Sequence, residues 1–441
     1  MVTAFALAGT AVLNAAPGSL DTTFGTGGKV IAPVGSSHDY GRSVAVQDDG
    51  KIVVAGYASN GNDMDFAVAR FNPDGSLDSG FGMGGKVLTP VGSGDDRGHD
   101  VAIQSDGGIV VVGSSSDDLA VVRYNPDGSP DSGFGVAGKV VASISSLNDG
   151  GNAVVLQSDG KIVVAGRAIV GGNFDIMVAR FNTDGSVDDG FGTGGSVTTA
   201  VGTDDDIGCG LALQVDGKIV VGGYARMGST DDFAVLRFTT DGAIDSGFGT
   251  NGMATTSFGS YDDCCYDVAV QADGKIVLAG ELQSGYSPHI ALTRYTSQGV
   301  LDGSFGNGGI VGTSFSGSTT EYGRSVAVRS DGKIFVAGGS SQSGGAFAIA
   351  CFQGNGALDG SFGSTGMKVT RVATIGSDVG TSVALQDDGK VLVAGHSFVG
   401  SGMDLVLLRH EGGTVAAVPE MGVRSGAGEI VDGDSIPGTA D

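Results

Sequence analysis

The sequence predicts an all-β protein: a seven-bladed β-propeller of four-stranded antiparallel blades, closed by its N-terminal strand. Three observations predict it. A Phe-Gly pair recurs at Phe24, Phe81, Phe134, Phe191, Phe248, Phe305 and Phe362, with spacings of 57, 53, 57, 57, 57 and 57 residues. A second marker of similar period, typified by DGKIVVAG, begins at Asp49, Asp106, Asp159, Asp216, Asp273, Asp331 and Asp388. No segment carries a convincing helical period. Seven copies at a near-fixed period mark a repeat architecture, so length does not convert into a count of ordinary domains.

The first full repeat gives the elements in order. Ser43–Gln47 alternates as a strand and meets Asp48-Asp49-Gly50, a strong hairpin signal because a primed turn needs positive φ at its centre. Lys51–Gly56 is almost wholly apolar, as expected of a strand covered on both faces. A variable stretch, YASNGNDM, leads to the third strand, Asp65–Phe71. A glycine-punctuated turn follows, then a polar edge strand, Lys86–Val91, where Pro90 leaves no ladder gap. One such meander cannot bury both of its faces. Seven packed around an axis can. The innermost strand carries a column of small residues where blades converge: Ala45, Ala102, Ala212, Ala269, Ala327 and Ala384, with Val155 the exception.

The ends predict closure. The chain enters on a fourth-strand sequence, Lys29–Val34, and leaves after a third strand, Asp404–His410. The entering strand therefore completes the last blade. Residues 1–19 read as a truncated signal peptide with a cut after Ala16, although a basic n-region is missing; a plain leader is the other reading. Residues 20–413 are the propeller and 414–441 a C-terminal tail.

Composition narrows the functions. The chain has 441 residues, 82 of them Gly, and a net charge of −25. Such an acidic protein is a poor partner for nucleic acid or an anionic membrane, and no later segment is long and apolar enough to span one. Four cysteines make no disulfide framework. Cys264 and Cys265 are adjacent and Cys209 lies one repeat earlier, so a redox role, a vicinal disulfide or a pair with Cys209 are all open; Cys351 is isolated.

The turn Asn72–Asp78 resembles a calcium loop, with oxygen ligands at alternate positions. A cation, Arg70, stands where a first carboxylate ligand belongs. Arg70, Arg123, Arg180, Arg237 and Arg294 each precede an aspartate by eight residues: Asp78, Asp131, Asp188, Asp245 and Asp302. Arg409 would meet Asp21 across the closure. The reading is a structural Arg–Asp clasp, with no metal; solvated charges are the plain alternative. The sixth repeat has Cys351 in place of the arginine, so its Asp359 is expected to be more exposed than its counterparts.

Function is expected on the face carrying the second-to-third and the inter-repeat connections, which vary while the opposite turns repeat. Seven of nine tyrosines (Tyr40, Tyr57, Tyr224, Tyr261, Tyr266, Tyr286, Tyr322) and four of five histidines (His38, His99, His289, His396) fall there. Before each innermost strand lies a non-identical ring, Arg42, His99, Asn152, Cys209, Tyr266, Arg324 and Thr381. The candidate binding residues are Tyr40, Arg42, His99, Asn152, Tyr266, Tyr322 and Arg324; ordinary loop polarity is the plain alternative. No GxSxG, HExxH or phosphate loop is present, so no catalytic residue and no cofactor is expected. His38, His99 and His396 with Asp39 and Asp100 are the nearest thing to a metal or acid–base cluster.

The combined string LDxxFGxxGKV…VAVQxDGKIVVAG…ARFNxDG resembles the delta-60 repeat, a bacterial β-propeller family of largely uncharacterised function, over Leu20 to Gly413. The element order is similar to NHL-type propellers. The resemblance implies a secreted or surface-attached bacterial protein, a monomer or one part of a larger modular chain. The tail from Pro419 to Asp441 resembles the opening of an Ig-like choice-of-anchor domain. Two functions follow: a non-enzymatic recognition or adhesion module for a glycan or surface protein, or a lyase or hydrolase working on a surface polymer at the axial mouth.

Overall fold

The computed structural model describes residues 15–284, 287–314, 320–373 and 376–413. Most of the leader, the tail and Tyr286 lie outside them. Seven four-stranded antiparallel sheets stand around one axis. In blade one the strands run Asp39–Val46, Ile52–Ser59, Met64–Phe71 and Lys86–Thr89, from the axis outward. The outer strand stops before Pro90, two residues earlier than the sequence suggested. The second and third strands run further into the supposed variable loop, leaving a short hairpin at 60–63. Among the described residues the one helical element is a 3-10 turn, Gln342–Gly344.

The ring closes as expected. Lys29–Ala32 pairs antiparallel with the strand Gly402–His410, in register Lys29 to Leu408 and Ala32 to Leu405. The seventh blade thereby gains its fourth strand and loses an exposed edge.

Packing between blades follows from the apolar second and third strands. The cluster joining blades seven and one holds Phe24, Ile52, Val54, Phe71, Leu392, Leu405 and Leu407, none more than 1% exposed. Each phenylalanine of the Phe-Gly pairs is buried, wedged where two blades meet. At about 25 cal/mol per Å² of apolar surface removed from water, these wedges and the strand side chains around them hold neighbouring blades together.

Two polar devices lock the inner strands. The first is an aspartate at the head of six of the seven innermost strands. Asp39 accepts from the Val34 and Gly35 amides at 2.7 and 2.8 Å. Asp96, Asp149, Asp206, Asp263 and Asp378 do the same for their own inter-blade loops. The second is a girdle near the axis. Ser43 donates to Asp100 at 2.7 Å, and Asp100 accepts the Val154 amide at 2.7 Å. Asp267 accepts the Val326 amide at 2.8 Å, Ser325 accepts from Val383, and Ser382 from Val44. Where the column reads Gly210 the backbones themselves close up: a Cβ there would lie 2.6 Å from the Val268 nitrogen.

Candidate functional site

The face carrying the longer connections is shaped by a bulge repeated in every innermost strand. The register slips between Gly41 and Ser43, and at the corresponding place in the other six blades. The residue left unpaired is the ring residue of each repeat: Arg42, His99, Asn152, Cys209, Tyr266, Arg324 or Thr381. A bulge re-aims one side chain out of the pleat. The ring is thus part of the innermost strands rather than of the loops before them.

The bulge also divides the ring by role. His99 Nδ1 bonds the Gly151 carbonyl of the next blade at 2.9 Å. Asn152 Nδ2 donates to the Gly208 carbonyl at 2.9 Å, and Thr381 Oγ1 to Gly41 at 2.9 Å. All three are buried. His99 and Asn152, expected on the binding face, tie neighbouring blades together at the floor of the mouth. Tyr266 is also buried and donates to Glu281 at 2.8 Å. Arg42, Arg324, Tyr40 and Tyr322 remain partly exposed.

These exposed residues converge on one arc. Arg324 of blade six lies over the rings of Tyr322 and Tyr266, at 4.7 and 5.2 Å. Arg42 of blade one lies 5.8 Å from the Tyr57 centroid, and Tyr57 packs on Tyr40 at 4.8 Å. Between them blade seven supplies His396, edge-on to Tyr40 at 4.9 Å. Burial, then the charges of Arg42 and Arg324, push His396 down to about 3 against the pull of a bond to the Gly41 carbonyl. Its Nδ1 has no partner. The imidazole is therefore neutral at pH 7, with one nitrogen anchored and the other buried without a partner.

The other residues singled out in the sequence do not assemble. His38 Nδ1 accepts the Met403 amide at 3.2 Å, Asp39 caps its loop, and Asp100 sits in the girdle. Among the described residues no group of three His, Cys, Asp or Glu is placed to hold a metal. All four cysteines are free thiols. Burial raises the thiols of Cys264 and Cys265 well above the usual range, which makes them inert. Arg97, Arg167 and Glu281 were missed as members of the mouth. Arg97 shares a column with Tyr40 and Tyr322 in the aligned repeats, which was the available signal.

On the opposite face the arginines and aspartates pair. Arg70 meets Asp78 at 2.8 Å, Arg123 meets Asp131 at 2.7 Å, Arg180 meets Asp188 at 2.6 Å and Arg237 meets Asp245 at 2.8 Å. Arg294 meets Asp302 at 2.9 Å and Arg409 meets Asp21 at 2.7 Å across the closure. Burial raises the Asp21 carboxyl, but bonds from Lys390 and Thr23 and the Arg409 charge hold it far below the carboxylate range. Each guanidinium also lies on the Phe-Gly phenylalanine, as Arg180 does on Phe191 at 4.6 Å. Each reaches the turn of the following blade: Arg70 donates to Pro126, Arg180 to Thr240 and Arg409 to Pro73. The clasp is thus also a staple between blades.

Asp359 corrects an expectation. It is 6% exposed, no more than Asp188 or Asp302 at 8%. Lys333 pairs with it at 2.6 Å in place of the absent arginine. The most exposed member is Asp131, with a side chain 26% exposed. Its repeat has Gly108 where the other blades have a lysine.

Fold and site together define a closed seven-bladed β-propeller with one uniform face and one face bearing an Arg–His–Tyr arc. Six segments, 47–81, 104–134, 157–191, 214–248, 271–305 and 329–362, match the family described as a domain of unknown function (DUF5122) beta-propeller. Comparison with curated proteins gives no match. Among solved structures, a PL25 ulvan lyase bound to -[GlcA(1-4)Rha3S]- is similar at TM-score 0.50 and 14% identity, covering 88% of this chain and 97% of that one. The polysaccharide lyase Uly1 is similar at TM-score 0.46 and 13% identity, covering 88% and 92%. Drosophila Semaphorin 1b is similar at 0.49 and 11%, covering 90% and 88%. At these identities the likeness is one of fold.

Proposed function

We propose that this propeller is a recognition module of the cell exterior that binds an acidic glycan over blades six, seven and one. The observation that carries this reading is the pair of part-exposed guanidiniums on either side of blade seven, Arg42 over Tyr57 and Arg324 over Tyr322 and Tyr266. Two guanidiniums suit a carboxylate or sulfate. Tyr40 and Tyr322 present aromatic surface with a polar tip. A local positive arc attracts such a ligand despite the net charge of −25.

An enzymatic reading, a lyase or hydrolase on an acidic polymer, draws on the same residues and on the fold shared with an ulvan lyase. The chemistry weighs against it. A general base works best with a pKa near the working pH, and His396 lies near 3. The mouth is also floored by the buried ring. Binding is the better use of two guanidiniums fixed on tyrosine rings.

The test is calorimetric titration with an array of uronate- and sulfate-bearing oligosaccharides, alongside an assay for new reducing ends and unsaturated sugars. Binding without turnover, lost in the Arg42→Ala, Arg324→Ala double variant but kept in Lys51→Ala, Lys161→Ala, is expected. Turnover abolished by His396→Gln would establish the enzyme instead.

A further inference from the structure

The arc does not stop at blade one. Just outward of the bulge, each innermost strand pairs one rung with its neighbour: Tyr40 with Tyr57, Arg97 with Ser114, Gly150 with Arg167, Ile207 with Tyr224. The rung continues as Cys264 with Glu281, Tyr322 with Gly339 and Val379 with His396. Two of its members are arginines and one is acidic. Arg97 lies over the same Tyr57 ring as Arg42, at 5.7 Å. Arg167 lies over Phe174 at 5.1 Å, and its charge is felt by Tyr224 one blade on. Arg97 also meets Asp95 at 3.1 Å, an exposed and weak pair. Glu281 is pushed up by burial, against the Arg324 charge, and is held by Tyr266.

The remaining two blades carry the opposite sign. Asp231 is raised to about 6 by burial, with Asp262, Asp205 and Asp232 adding to it against Arg226. Arg226 is already spanned by Asp231 at 3.0 Å and Asp262 at 3.3 Å. The mouth is therefore polarised. Arginines stand at the bulge or the rung in blades six, one, two and three, with His396 between the first two; the rung of blade five carries Glu281, and the arginine of blade four, Arg226, is spanned by two carboxylates.

Resting on the glycan reading above, we infer that the ligand is a linear oligosaccharide with recurring acidic groups. It lies over blades six, seven, one, two and three and is kept off blades four and five. A single acid sugar needs only Arg42 and Arg324. A second pair of cations further round the ring is useful to a ligand that continues, since linked contacts multiply through effective concentration.

The experiment compares galacturonate with tetragalacturonate, a sulfated tetrasaccharide and tetraglutamate, by calorimetry on the whole chain at low and physiological salt. A tetrasaccharide is expected to bind at least ~10-fold tighter than the monosaccharide, with the steeper salt dependence. Arg97→Gln with Arg167→Gln should remove most of that gain and leave monosaccharide binding intact. If the double variant melts early, Arg97→Gln alone, at a side chain 41% exposed, carries the test. Equal affinity for the two lengths, or an unaffected tetrasaccharide in the variant, overturns the extended site and leaves the three-blade site standing. Binding of no acidic sugar at all overturns both. Tetraglutamate binding as tightly as the sugars overturns the glycan assignment.

Discussion

Arg329 donates to the Gly412 carbonyl at 2.7 Å. In the other blades that bond to the following blade comes from the arginine of the third strand; in blade six that position is Cys351. Arg329 stands at the end of the innermost strand, where the other repeats have glutamine: Gln47, Gln104, Gln157, Gln214, Gln271 and Gln386. Gln157 already touches Arg180 Nη1 at 3.3 Å, so the two positions are neighbours. The guanidinium has moved across the ladder while keeping its carbonyl, and it lies over Phe335 at 5.2 Å.

The staple is therefore expected to be portable. Arg180→Ala should cost roughly 1.5–3 kcal/mol, because it leaves Asp188 buried beside a lost partner. Arg329→Gln should cost a similar amount, and adding Cys351→Arg should restore most of it. Urea unfolding of the three variants measures this. An Arg329→Gln protein as stable as its parent would remove the staple from consideration.

Blade two offers a converse. Gly108 replaces the lysine that elsewhere reaches the aspartate, as Lys161 reaches Asp188 at 2.8 Å. Its backbone is outside the left-handed region, so Gly108→Lys should be tolerated. A gain of ~0.5–1 kcal/mol is expected, since the new pair is part-exposed. Loss of stability would show that Gln104, whose Oε1 would lie 2.7 Å from the new Cβ, cannot yield.

Ring closure makes the N-terminal strand indispensable. Removal of residues 1–34 takes away the partner of Gly402–His410 and the Asp21 carboxylate paired with Arg409. Aggregation, or a melting temperature lower by ten degrees or so, is expected for a lost strand and a stranded buried charge. A truncated protein that melts with its parent would mean that the seventh blade stands on three strands.

The pH dependence has two opposed parts. Burial raises Asp100 to about 7, against bonds from Ser43, Val154 and Val101, and raises Asp267 well above the usual carboxylate range. Their folded pKa values exceed the unfolded value near 4, so the stability they add is full below pH 4 and is lost as pH rises towards 7. His396 near 3 and His410 near 4 are lowered chiefly by burial. Their stability is full above the unfolded value of about 6.5 and is lost as pH falls through that window. The two trends offset between pH 4 and 6.5. Asp100→Asn should unmask a rise with pH across that range, and His396→Gln a steeper fall. Denaturant midpoints at half-unit steps decide it; parallel profiles for parent and variants would show that these groups do not titrate on unfolding.

Calcium should change nothing on the uniform face. The loops after each third strand already hold a guanidinium where an ion would sit, as Arg70 does beside Asp78. Titration to millimolar calcium is expected to leave the melting temperature unmoved. A stepwise rise abolished by Asp78→Asn would restore the metal reading.

The repeat period, the Asp-Gly hairpins and the entering fourth strand determined the blade, the blade number and the closure, because each is a local pattern copied seven times. The Arg–Asp pairing was legible for the same reason: eight residues across one tight turn leave little freedom. Only the tertiary structure decided what lies between blades. The bulge turned His99 and Asn152 inward as ties, although the sequence placed them on a rim. Arg329 took over for Cys351 from another strand, so Asp359 stayed covered. His396 acquired its two arginines from blades on either side. Each of these depends on the angle and distance between neighbouring blades, set by the buried phenylalanine wedges, and no period along one chain encodes which side chains those wedges bring face to face.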